Sequence, residues 1–107
     1  MTRIRPIEPD KARELLRDGG LLVDVREREE RASGVIPGAV HAPLSALGHW
    51  ELPATAGSPV IFHCRSGGRT ASHADALASQ APDSDVYVLE GGIDRWRSAG
   101  HPVVPVE

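Results

Sequence analysis

Three short apolar runs, Leu21-Leu22-Val23-Asp24-Val25, Val60-Ile61-Phe62-His63 and Val86-Tyr87-Val88-Leu89, are separated by stretches with helical spacing. Strands that read as near-continuous branched apolar runs are buried on both faces. Their alternation with helices marks a parallel sheet with crossover connections. A further short strand is expected at Val40-His41-Ala42, after the turn Ile36-Pro37-Gly38-Ala39. Glu8-Pro9-Asp10 opens a first helix, with proline at an early position and acids near its positive end. Ala12, Leu15 and Leu16 give that helix its apolar stripe, and Gly19-Gly20 ends it. Arg26 to Arg31 reads as a short exposed helix, Leu44 to Trp50 as one or two helical turns, and 53–59 as a loop. Ala71, Ala74, Leu77, Ala78 and Ala81 predict one helix from Thr70 to Ala81, packed close to the sheet and stopped by Pro82. Ile93, Trp96 and Ala99 predict a last helix ending at Gly100. No repeat or linker interrupts the pattern, so residues 1–107 are expected to form one α/β domain.

Composition narrows the classes of function. The 107 residues carry 12 Lys plus Arg against 15 Asp plus Glu, a net charge of −3. Nucleic-acid binders are usually basic over a whole face, so no nucleic-acid partner is expected. No apolar run approaches the ~20 residues needed to span a bilayer, which excludes a transmembrane helix. The first residues, MTRIRPIEPDKAREL, lack the apolar stretch of a secretory signal, and Cys64 has no disulfide partner in the sequence. A lone thiol fits a reducing compartment, so a cytoplasmic location is expected. His41, His49, His63, His73 and His101 show no paired zinc-ligand spacing, and neither a metal nor a cofactor is expected. His63 and His73 read as a strand-end and a helix-face residue, and Trp50 and Trp96 as packing.

The chemistry is concentrated in Phe62-His63-Cys64-Arg65-Ser66-Gly67-Gly68-Arg69-Thr70. A cysteine where a parallel strand ends and a helix begins lies at the ligand-binding edge of such sheets. Gly67 and Gly68 can take positive φ, letting the chain curl and aim successive N–H groups inward. Such a nest, backed by the first turn of a helix, is an anion cradle. Cys64 placed in it is expected to have a lowered pKa, with Arg65 and Arg69 adding positive potential. These are the requirements of a nucleophile that attacks an anionic substrate. The plain alternative, an inert core cysteine beside a glycine turn, does not account for two glycines, two arginines and the strand–helix junction together.

Cys64-Arg65-Ser66-Gly67-Gly68-Arg69-Thr70 resembles the active-site loop of the rhodanese-like sulfurtransferases. Asp24-Val25-Arg26-Glu27 followed by Gly34-Val35-Ile36-Pro37-Gly38-Ala39 resembles the family's first motif, and Leu89-Glu90-Gly91-Gly92-Ile93-Asp94-Arg95-Trp96 its third. The resemblance covers nearly the whole chain. It implies a doubly wound α/β domain with a mainly five-stranded parallel sheet and helices on both faces. It also implies that Cys64 carries sulfur as a persulfide. The donor would be a small anion such as thiosulfate, and the acceptor cyanide, a thiol or a protein. The loop amides of Arg65, Ser66, Gly67, Gly68, Arg69 and Thr70 would ring the sulfur. Arg69 would anchor the loop or meet the donor, and Asp24 and Arg26 would brace the site from the neighbouring strand end. Family members this short are often monomers, which is the expectation here. Two positions depart from the pattern: Arg31 replaces the usual aromatic, and Val35 the usual histidine before Ile-Pro-Gly.

Two other readings share these residues. Cysteine phosphatases and arsenate reductases also set a Cys in an amide-lined loop closed by Arg, but the phosphatase pattern places five residues between them and this chain has four. A smaller ring suits one sulfur atom better than a phosphoryl group, and no general acid for a phosphate leaving group is evident. A non-catalytic rhodanese-like binding module commonly lacks the cysteine, which is present here; a module in which Cys64 only relays sulfur between proteins stays open.

Overall fold

The computed structural model describes residues 4–53 and 57–106. Its strands are β1 (Ile4–Ile7), β2 (Leu21–Asp24), β3 (Val40–His41), β4 (Val60–His63) and β5 (Val86–Leu89), and its α-helices are α1 (Pro9–Arg17), α2 (Gly68–Ser72), α3 (Ala74–Ala78) and α4 (Gly92–Ser98). Two 3₁₀ turns span Arg28–Ser33 and Leu44–Ala46. The five strands form one parallel sheet in the order β1-β5-β4-β2-β3.

Period-two alternation divides the core. Val60, Phe62 and Cys64 point to one face with Val23, Val25 and Val86, where Leu77, Ala78 and Ala81 cover them. Leu22, Ile61 and Leu89 point to the other, against Ala12 of α1 and Ile93 and Trp96 of α4. All four residues of β4 are buried, as its uninterrupted apolar run requires. Trp96 is buried with its Nε1–H donating to the Pro102 carbonyl, and Trp50 stacks on Phe62 with its Nε1–H on the Pro43 carbonyl, so both tryptophans pack as expected.

Four sequence expectations change in the structure. The helix expected over 70–81 begins at Gly68 and is broken into α2 and α3 at His73, whose φ of −109° and ψ of 18° leave the helical region. At this break the His73 Nδ1–H and its own backbone N–H share the Arg69 carbonyl. Ala71 is exposed, while Ala81 lies beyond the helix and is buried. The charged run Arg26 to Arg31 is a 3₁₀ turn over Arg28–Ser33, and Arg26 precedes it with only 2% of its surface exposed. Leu44 to Trp50 holds a single 3₁₀ turn. β1, read as no element from the sequence, is an edge strand that tolerates Pro6 because one side of an edge needs no ladder bond. The loop expected over 53–59 includes 54–56, which lie outside the described residues.

The chain winds from β2 out to β3, then returns to β4 and winds out to β5 on the other side. Strand order therefore reverses between β2 and β4, and ligand crevices open at the carboxyl ends of strands at such a point. Asp24 and His63 are in register there, with Arg26 and Cys64 just beyond them.

Candidate active site

Cys64 follows the last residue of β4 and is 1% exposed. Gly67, at φ 98°, turns the chain back so that its N–H donates to the Cys64 Sγ at 3.1 Å. The Thr70 hydroxyl lies 3.8 Å from Sγ and donates to the Gly67 carbonyl at 3.2 Å, closing the loop on itself. Burial pushes the thiol pKa up. The N–H groups of Thr70 and Gly67, the Thr70 hydroxyl and the Arg69 N–H outweigh that and bring it below the ordinary thiol value. Gly68 does not use the freedom expected of it: it opens α2 in helical conformation, and only Gly67 of the pair has positive φ.

The loop is pinned from behind by α4. Ile93 N–H donates to the Cys64 carbonyl and Asp94 N–H to the Arg65 carbonyl, both at 3.0 Å. These are first-turn amides with no partner inside their own helix. Because the peptide is planar and trans, drawing those two carbonyls toward α4 turns the N–H groups of Arg65 and Ser66 away from it. The approach is so close that a Cβ on Gly92 would sit 2.4 Å from the Arg65 carbonyl oxygen and 2.5 Å from that of Cys64. Gly92 thus serves the cysteine loop, which no local reading of that residue indicates.

Asp24 and Arg26 form a buried pair. Arg26 donates from Nε to Oδ1 at 3.0 Å, from Nη2 to Oδ2 at 2.9 Å and from its backbone N–H to Oδ1 at 3.0 Å. Burial pushes the Asp24 carboxyl up, and the Arg26 bonds and charge more than offset it, holding the group below the ordinary carboxylate range. The same guanidinium reaches the carbonyls of Glu30 and Gly34, so it ties the end of β2 to the 3₁₀ turn. Arg31 brings a second cation to Asp24, its Nε 3.8 Å from Oδ2, and Val35 pairs with Val104 in an antiparallel bridge. The two departures from the expected motif therefore act in the packing around Asp24 and the C-terminal segment.

The loop arginines are engaged. Arg65 is largely exposed, with Nε 3.5 Å from Asp94 Oδ2. Arg69 donates to both carboxylate oxygens of Glu30, from Nη1 at 2.6 Å and from Nη2 at 2.7 Å. That fork holds the Glu30 carboxyl down at about 2. Glu30 is the site residue that sequence reasoning missed: in a run holding Glu27, Glu29 and Glu30, nothing marks which acid faces Arg69. The one available signal is the i, i+3 spacing of Glu27 and Glu30, which form a reciprocal capping box. Ser66 and Gly68 are exposed at the loop surface. His63, fully buried, donates from Nδ1 to the Cys64 carbonyl rather than meeting the thiol, and burial lowers its pKa. His41, His73 and His101 also have protein partners, and among the described residues no three His, Cys, Asp or Glu are grouped to hold a metal ion. No helix among the described residues is long and apolar enough to cross a membrane.

Residues 8–99 match the family model described as a rhodanese-like domain. A thiosulfate sulfurtransferase named GlpE from Pseudomonas fluorescens is 36% identical over 92% of this chain and 89% of its own length. Among solved structures, a rhodanese-related protein from Thermoplasma volcanium has a TM-score of 0.78 at 30% identity, covering 94% of this chain and 97% of that one. A Rhodopseudomonas palustris protein titled as of unknown function, possible tyrosine phosphatase, has a TM-score of 0.77 at 28% identity over 94% of this chain and 84% of that one.

Proposed function

This chain belongs to the rhodanese-like domain family, and on that footing we propose that it is a thiosulfate-type sulfurtransferase with Cys64 as the sulfur carrier. The observation that carries the reading is the Cys64 thiol, brought below its ordinary pKa by loop amides and accepting the Gly67 N–H at 3.1 Å. The Cys64 thiolate attacks the outer sulfur of thiosulfate, the S–S bond of the donor breaks, and sulfite leaves with the electron pair. The product is a Cys64 persulfide whose terminal charge the same amides stabilise. Cyanide or an acceptor thiolate then attacks that terminal sulfur, the new S–S bond breaks, and the Cys64 thiolate is regenerated as thiocyanate or an acceptor persulfide departs. Arg65, Ser66, Gly67, Gly68, Arg69 and Thr70 form the cradle, and Asp24 and Arg26 brace it. Because the 107 residues hold one cysteine, the persulfide is discharged to an external acceptor rather than through an internal disulfide. The domain works as a cytoplasmic monomer in this reading.

A phosphatase would need the loop arginine free to bind equatorial phosphoryl oxygens. Arg69 is committed to Glu30, which supports sulfur over phosphorus. The test is the intact mass of the protein after thiosulfate and again after cyanide. A gain of one sulfur atom, lost on cyanide and absent in Cys64→Ser, is expected. A reactive thiol that takes up no sulfur from thiosulfate or a persulfide donor overturns the reading.

A further inference from the structure

Both loop cations that follow the thiol in sequence face a carboxylate in space. Arg65 meets Asp94 at 3.5 Å with both side chains well exposed, a weak and screened contact. Arg69 meets Glu30 through two short parallel bonds, with the pair only about one-third exposed. Glu30 is itself held in place. Its Oε1 accepts the Glu27 N–H at 3.0 Å, and its carbonyl accepts Arg26 Nη1 at 3.3 Å. Glu27 in turn is fixed by Ser45, whose hydroxyl and N–H donate to its two carboxylate oxygens. Arg69 lies within electrostatic reach of Cys64, and Glu27 adds a second negative charge near Arg69. A lone loop arginine would give the thiol a positive neighbour, whereas this one is balanced by an acid that two further bonds, from Glu27 and Arg26, hold in place.

We propose that Glu30 is a positioning and selectivity residue for the Cys64 loop: by neutralising Arg69 it limits how strongly the site favours anionic reactants over neutral ones. The charge of an incoming donor is then met by the loop amides, and the arginine shapes the loop rather than drawing in anions. The inference deepens the sulfurtransferase reading, since it concerns the charge of the donor that the thiol accepts. The geometry behind it does not depend on sulfur transfer. Removing the Glu30 charge while keeping an acceptor for Arg69 makes the surroundings of the loop one charge more positive. Removing the Arg69 charge makes them one charge more negative. A merely structural pair would slow every reactant alike.

The test is alkylation of Cys64 in the whole chain by iodoacetate, an anion, and by iodoacetamide, its neutral counterpart, from pH 5 to 10 at low and high salt. In Glu30→Gln the ratio of the iodoacetate to the iodoacetamide rate is expected to rise about three- to tenfold at low salt, as one unscreened charge nearby produces. The thiol titration should move to lower pH, and high salt should shrink the effect. Arg69→Gln is expected to shift both quantities the opposite way, and Glu30→Gln with Arg69→Gln to return the ratio toward that of the unmodified chain. If Glu30→Gln does not fold, the double variant must still exceed Arg69→Gln in this ratio. Equal slowing of both reagents with an unchanged ratio, or shifts of the same sign in the two single variants, would overturn the proposal. Alkylation needs no sulfur donor, so these outcomes are independent of whether Cys64 takes up sulfur.

Discussion

Gly67 and Gly68 stand side by side in the loop for different reasons. Gly67 has φ 98°, and a Cβ there would approach the Gly91 nitrogen to 3.2 Å; Gly68 is helical and opens onto empty space. Gly67→Ala is therefore expected to cost about 1–2 kcal/mol of stability, while Gly68→Ala gains about 0.5–1 kcal/mol by stiffening the unfolded chain. Urea denaturation of the two variants checks this, and equal effects would show that the backbone does not distinguish them. Asp24→Asn removes the charge that compensates the buried Arg26 guanidinium, with an expected loss of about 3–5 kcal/mol by the same measurement. The thiol itself has a lowered pKa, so alkylation by iodoacetamide should reach half its maximal rate at lower pH than free cysteine does.

At the level of elements, α4 is a support for a loop that lies far from it in sequence. Its first amides hold the Cys64 and Arg65 carbonyls, and Gly92 permits the approach. The 2.4 Å contact that a Cβ would make is with backbone, which cannot rotate away, and Gly92 also has φ 58°. Gly92→Ala should consequently displace the loop, lowering thiol reactivity at pH 7 by tenfold or more relative to the unmodified chain, a factor worth about 1.4 kcal/mol. A variant that folds and alkylates at the normal rate would show that α4 does not set the loop. This coupling explains a limit of sequence reading: the loop was legible from its own residues, but the partners of those residues were not. Glu30 is the clearest case, because its meaning comes from a contact with Arg69, 39 positions away.

For the whole molecule, acidification acts through several groups of one sign. Asp24 and Glu30 have folded pKa values below their unfolded ones, so they add stability above the unfolded value that is lost as pH falls through the folded one. For Glu30 that window runs from 4.5 down to about 2. His63 is buried with its pKa below 6.5, so the unfolded chain takes up its proton first, and stability falls below that pH. The urea midpoint should accordingly be lower at pH 5 than at pH 7. His63→Gln should flatten the difference between those two pH values, and an unchanged dependence would show that His63 does not contribute. The sequence alone determined the parallel α/β architecture, since buried apolar strands between helices have few other ways to hide both faces. It also marked the cysteine loop as the candidate site, because glycine, cysteine and arginine at a strand end carry local chemistry. The edge strand β1 escaped it, since its register comes from pairing with β5 rather than from its own four residues. So did the break at His73, where a side chain and the backbone share one carbonyl, and the partner of Arg69. The tertiary structure decided which charges meet: sequence lists the charges, and only the packed chain brings Glu30 to Arg69 and Asp94 to Arg65.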